Sequence, residues 1–290
     1  MQERPFDTAA INDRQKQLLR DRTGLIQHIT ETLVERFGQG HYGPDSQIEW
    51  AVSAGVLMLL GDSPSGPDGS AEPCLVLNKR SSKVKQPGDL CFPGGSMTPW
   101  IDPYLAGIFS LPFSSLGRWR YWKNWRRNHR RAAKSISIFW ATGLRESFEE
   151  MRLNPFGVRF LGPLSPQPLV MFKRTIYPMV GWINRQKRFF PNWEVEKVVH
   201  VPLKDLLNPK HYGRYRLQIE STPGREKFTS IQNYPCFRLQ APDHTEILWG
   251  ATFRITLDFL EHVFGFEPPA FADLPVVEGV LDETYLTGQK

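Results

Sequence analysis

The stretch Gly143–Leu153, GLRESFEEMRL, constrains this chain more than any other. As a helix it sets Glu146, Glu149 and Glu150 at i, i+3 and i+4, three carboxylates on one face. Carboxylates so crowded repel one another, and the arrangement is costly unless a positive charge sits among them. A Mg²⁺ or Mn²⁺ ion meets that need, because it takes hard oxygen ligands and leaves room for water and phosphate oxygens. Such an ion polarises a phosphoryl group and generates hydroxide near neutral pH. Arg145 flanks the three and is placed to orient a glutamate. The plain alternative is an acidic stripe on a solvated helix, and this segment alone does not decide between the two.

The surrounding pattern is that of an α/β protein. Residues 10–37 read as a helix, with Leu18, Leu19, Leu25, Ile26, Ile29, Leu33 and Val34 near helical spacing and Gly38 and Gly40 closing it. Glu49–Leu60 has the apolar density of a buried strand, and Cys74–Leu77 is its hairpin partner across a Gly/Pro/Ser/Asp loop at 61–73. Lys79–Gly95 runs through a basic loop into a short strand that ends on two glycines, where backbone can approach a ligand closely. A helix over Ile138–Leu153 follows, then strands at Val158–Leu161, Ile176–Ile183 and Val198–Val201, and a helix over Glu246–Phe264. This interleaving predicts an α/β sandwich on a mixed sheet.

Phe92-Pro93-Gly94-Gly95, followed by Arg145-Glu146 and Glu149-Glu150, resembles the box of the Nudix hydrolases, G-x5-E-x7-R-E-U-x-E-E-x-G-U with U aliphatic. Within that family the chain is similar to the coenzyme A diphosphatase branch. The matching segments are Lys79-Arg80-Ser81, Pro191-Asn192-Trp193-Glu194-Val195, Val201-Pro202-Leu203-Lys204-Asp205-Leu206-Leu207 and Leu248-Trp249-Gly250-Ala251-Thr252, in the right order.

The resemblance implies a Nudix α/β/α sandwich with a mixed sheet over 46–270, an N-terminal helical extension over 1–45, a basic-aromatic insertion at about 100–137, and a tail over 271–290. It implies Mg²⁺ or Mn²⁺ held by Glu146, Glu149 and Glu150, with Arg145, Glu146, Glu149 and Glu194 serving catalysis. Arg80, Lys85, Phe92, Gly94 and Gly95 would meet the substrate, a small-molecule diphosphate that the branch makes coenzyme A or an acyl-CoA. The alternatives are another nucleoside diphosphate, a lipid-linked diphosphate, or a catalytically weak domain that binds a ligand or associates with a membrane.

Several positions depart from the pattern. The box has 13 residues between its glycine and arginine, whereas 49 separate Gly95 from Arg145, about 36 extra. The first box glutamate falls on Ile101, with Asp102 adjacent. Arg152 stands at the late glycine that normally caps the helix in a left-handed conformation. Asn154-Pro155 is placed to do that job two residues later. Gln86 stands where relatives often carry histidine.

The net charge of +6 belongs to one place. Arg118–Lys134 carries eight Lys/Arg and no acid, and without those eight the chain stands at −2. Nothing in the remainder invites nucleic acid. Trp119, Trp122 and Trp125 are interleaved with these cations, and tryptophan favours the lipid headgroup region. The leading expectation is therefore a hairpin docked through them on an anionic membrane surface. A folded subdomain with buried tryptophans, or a homodimer contact, is the alternative, and RNA binding is weakest. Three distant cysteines, Cys74, Cys91 and Cys236, and no apolar leader point to a reducing, cytoplasmic setting, with the chain peripheral at the membrane.

Overall fold

The computed structural model describes residues 11–37, 42, 48–63, 71–169, 173–221, 228–240, 245–281 and 285. Gly38, Gly40 and most of the 61–73 loop lie outside the described residues. The apolar run at 49–60 contributes β1 (Ser53–Asp62), which is apolar at nearly every position because both its faces are covered. Val56, Met58 and Leu60 enter one core, and Leu57 and Leu59 enter the other. β2 (Pro73–Arg80) pairs antiparallel with β1, Leu59 opposite Val76, as the hairpin reading requires. On the other side, β7 (Arg174–Ile183) runs parallel to β1, Leu57 opposite Met179, and β5 (Val158–Pro163) closes that flank antiparallel to β7. β3 (Leu90–Cys91) and β8 (Val195–Pro202) pair with β2, β4 (Gly94–Ser96) with β1, and β6 (Gln167–Leu169) with β7. The central sheet is therefore mixed.

Helices cover both of its faces. On one lie α2 (Arg22–Phe37), the single turn α6 (Leu203–Leu206) and α7 (Gly250–Phe264), burying Leu25, Ile29, Leu33, Leu203, Phe259 and Leu260. On the other lies α5 (Arg130–Met151), burying Ile136, Phe139, Trp140 and Leu144. This is the expected α/β/α sandwich. A Cβ on Gly143 would fall 2.6 Å from Leu57 Cδ2, so α5 rests directly on β1.

Three boundaries differ from the sequence expectation. The first helix is two, α1 (Asp13–Arg20) and α2, because Asp21 is extended and its carboxylate accepts from Gly24 N–H at 3.0 Å. α5 begins at Arg130 rather than Ile138. Glu246–Leu248, read as the first turn of the last helix, belongs to β11 (Thr245–Leu248), at the edge of a second sheet. There it pairs with β10 (Phe228–Gln240), which pairs with β9 (Tyr212–Ser221), and β12 (Val276–Leu281) runs parallel to β9. The sequence reading missed this sheet. Arg214, Arg216 and Gln218 break the apolar runs that mark buried strands.

The insertion is folded, and its tryptophans do not face a membrane. Trp119, Trp122 and Trp125 are at most 5% exposed. Trp122 and Trp125 share one face of α4 (Trp122–Asn128) at i, i+3, and Trp119 meets Phe160 edge-on at 5.0 Å. The outward face of α4 carries Lys123, Arg126 and Arg127. A tryptophan ring gains more from this core than a headgroup layer offers, so docking through these three residues is excluded. The other wall is α3 (Asp102–Phe109), and Trp140 Nε1 donates to Ser115 Oγ at 2.8 Å, tying the insertion to α5. Among the described residues no helix is long and apolar enough to cross a membrane.

Candidate active site

The site begins where β4 meets α5. Gly94 has φ 145°, a conformation that side chains resist, and a Cβ there would fall 2.5 Å from Gly55 O. A Cβ on Gly95 would fall 2.7 Å from the Glu146 carboxyl carbon, so only glycine leaves that carboxylate its place. The two-glycine strand end therefore admits the acidic face of α5.

Asp102, the acid adjacent to Ile101, is the carboxylate of this segment that meets Arg145. It is fully buried and accepts from Thr98 N–H (2.7 Å), Thr142 Oγ1 (2.8 Å) and Arg145 Nε (2.8 Å). Asp102 thus ties the start of the insertion to α5. Arg145 also donates to Glu146 at 2.9 Å, to Ser96 O at 3.0 Å and, at 3.5 Å, to Glu149. Burial pulls Arg145 down, but Asp102 and Glu146 outweigh it and hold the guanidinium above its ordinary value.

The glutamates differ in surroundings. Glu149 is half exposed. Burial raises Glu146, and the Arg145 charge opposes that rise. Glu150 is pushed up to about 8, first by burial and then by the charges of Glu146 and Glu194, although Asn78 Nδ2 (2.8 Å) and Gly94 N–H donate to it. Asn78 is a site residue the sequence reading missed; an amide ending the apolar run Leu75–Leu77 was its signal.

Glu194 is brought here by its loop. Asn192 N–H donates to Glu150 O (2.8 Å), Phe190 N–H to Met151 O (3.0 Å), and Ser81 N–H to Glu194 O (2.8 Å). Ser81 Oγ donates to Trp193 O at 2.8 Å. The segments 79–81, 92–95, 145–150 and 191–195, far apart in sequence, thus converge. Arg80 Nε donates to Lys85 O at 2.7 Å, and Lys85 itself is exposed. Phe92, expected at the substrate, is 5% exposed and belongs to the core. Gln86 sits at φ 56°, its N–H donating to Tyr285 O at 2.8 Å. Trp249, from the segment before α7, donates to Asp89 at 3.1 Å in the same loop.

Arg152 itself closes α5 in the left-handed conformation (φ 57°, ψ 37°), its N–H donating to Phe148 O at 3.0 Å. The expectation that Asn154 would take this role is corrected. Asn154 instead caps the following 3-10 turn by accepting from Phe156 N–H at 3.1 Å.

The donor set suits a hard divalent cation. Glu146 and Glu150 carry raised carboxyls beside Glu149 and Glu194, a surplus of negative charge that an ion would relieve. The side chains are not gathered on one point: among the described residues no group of three or more His, Cys, Asp and Glu stands ready around a metal. Arg145 instead spans Glu146 and Glu149, while Glu150 turns toward Asn78.

No family model matches the sequence. The chain is 28% identical over 171 residues to the peroxisomal coenzyme A diphosphatase NUDT7 of Mus musculus, covering 58% of this chain and 54% of that protein. It therefore spans about half the length of the curated relative it matches. Among solved structures, a MutT/nudix family protein from Enterococcus faecalis shares 9% identity, with a TM-score of 0.37, over 84% of this chain and 75% of that one. A C. elegans Ap4A hydrolase shares 13% identity, with a TM-score of 0.34, over 54% of this chain and 83% of that one. With its box residues converging as described, the chain is similar to the Nudix hydrolases and, through this curated relative, to their coenzyme A diphosphatase branch.

Proposed function

We propose that the chain is a metal-dependent pyrophosphohydrolase that cuts the diphosphate of coenzyme A or an acyl-CoA. The observation that carries this reading is the crowding of Glu146 and Glu150 over Gly94–Gly95, each carboxyl raised above its ordinary range. Glu146, Glu149 and Glu150 would hold Mg²⁺ or Mn²⁺, and the bound ion would polarise the diphosphate and lower the pKa of the attacking water. Arg145, fixed by Asp102 and Ser96 O, orients Glu146. Glu194, close enough for its charge to raise Glu150, takes the proton from water. Arg80, the last residue of β2, and Lys85, on the loop that follows it, meet the anionic groups of the substrate.

The name of the mouse relative supports coenzyme A as the substrate. The test is hydrolysis of a panel of coenzyme A, acyl-CoA, ADP-ribose, dinucleotides and nucleoside triphosphates with Mg²⁺ and with Mn²⁺, Glu149→Gln serving as the blank. Metal-dependent cleavage of coenzyme A or acyl-CoA that the variant loses is the expected result. Cleavage of a different compound would move the substrate and keep the site. Silence across the panel from folded protein would replace catalysis with ligand binding.

A further inference from the structure

The insertion opens on a run of uncovered apolar side chains. Trp100, Ile101, Tyr104, Ile108, Leu111 and Phe113 are all exposed, Trp100 and Tyr104 by more than three quarters and Phe113 by two thirds. α3 turns Asp102, Ala106 and Phe109 inward at i, i+4 and i+7, which leaves Tyr104 and Ile108 outward. Beside this run lies an open cavity of about 660 Å³ between α3, α4 and α5, with Leu111 and Trp122 among its apolar walls and Arg126, Arg130 and Lys134 in its lining. All eight cations of 118–134 are exposed. Among the described residues only Arg120 meets a carboxylate, Glu31 at 3.3 Å.

We propose that this face docks on an anionic lipid bilayer, with Trp100, Tyr104, Ile108, Leu111 and Phe113 entering the interfacial layer and Arg126, Arg130 and Lys134 meeting lipid phosphates. These are not the tryptophans that the sequence suggested; those are buried. Aromatic and aliphatic side chains bordered by unpaired cations match a headgroup layer with acyl chains beneath it. A second copy of the chain would set one group of unneutralised cations near another. RNA favours rings interleaved with the cations, and Trp119, Trp122 and Trp125 lie in the core, while the exposed rings form one apolar run with Ile108 and Leu111. The surface begins two residues before Asp102, the partner of Arg145, so docking would place the bilayer next to the candidate site.

The experiment is co-sedimentation of the full chain with vesicles of three parts phosphatidylcholine to one part phosphatidylglycerol, and with pure phosphatidylcholine, without substrate or metal. It therefore stands or falls separately from the hydrolysis test. The chain should pellet with the anionic vesicles, and salt should weaken the binding. The Trp100→Ser/Phe113→Ser and Arg126→Glu/Arg130→Glu variants should each bind at least about tenfold more weakly. All four side chains are exposed, and an unchanged thermal transition will show that the variants are folded. A chain that stays in the supernatant, or variants that pellet like the parent, would overturn the proposal. So would a dimer that the Trp100/Phe113 variant dissolves while no form binds vesicles.

Discussion

Glu150 sets the electrostatics of the site, since burial and the charges of Glu146 and Glu194 hold its carboxyl at about 8. In the unfolded chain the same group ionises at its ordinary 4.5. Between those values the folded protein keeps a proton that the unfolded chain has released, so stability falls as pH rises through the window and is lowest above it. Each tenfold change in proton affinity corresponds to about 1.4 kcal/mol. Metal-free protein should therefore melt at progressively lower temperature from about pH 5 to about pH 8, and Glu150→Gln should flatten that slope and melt higher at the alkaline end. A wild-type transition that rises over this range would contradict the assignment. Asp102 belongs to the same network: Asp102→Asn leaves a largely buried guanidinium short of its partner, with an expected loss of about 3–5 kcal/mol in denaturant unfolding. It should also lower turnover more than it raises KM, because Arg145 acts by orienting Glu146 and not by holding substrate.

At the scale of elements, α5 shows how a helix can end without the usual glycine. Arg152 accepts the left-handed conformation, and its guanidinium lies 5.1 Å from the Phe148 ring, which offsets part of the strain. Arg152→Gly should be more stable than Arg152→Ala by about 1 kcal/mol, measured by denaturant unfolding; equal stabilities would remove the strain from the account. Trp125→Ala, in the folded insertion, should cost about 3–5 kcal/mol, whereas a lipid-facing tryptophan in solution would cost almost nothing. The central elements were legible because β1 is apolar over consecutive residues and α5 carries the acidic triplet on a periodic apolar helix. Asp102 was visible only as a neighbour of Ile101, since sequence spacing does not show which carboxylate a long insertion brings back to Arg145. The burial of Trp119, Trp122 and Trp125 was not legible. Aromatic residues interleaved with cations give one pattern whether the rings turn toward lipid or toward a core, and here Phe160 and α5 supply the core. The second sheet escaped for a related reason, since its strands carry polar residues on half-exposed faces.

For the whole molecule, the sandwich brings together what the sequence scatters. β2 supplies Asn78, β4 supplies Gly94 and Gly95, α5 supplies the arginine and three glutamates, and the loop before β8 supplies Glu194. The fold gathers carboxylates at the candidate cation site and cations on the insertion beside it. We propose that this acidic cluster is a divalent-cation site. Calorimetric titration of Mn²⁺ into wild-type, Glu146→Gln and Glu150→Gln protein at about pH 6 and about pH 8 tests it most directly. The wild type should bind at least about tenfold more tightly at the higher pH, with proton release at the lower one, and both variants should lose that binding. No binding at either pH, or binding that both variants retain, would contradict it.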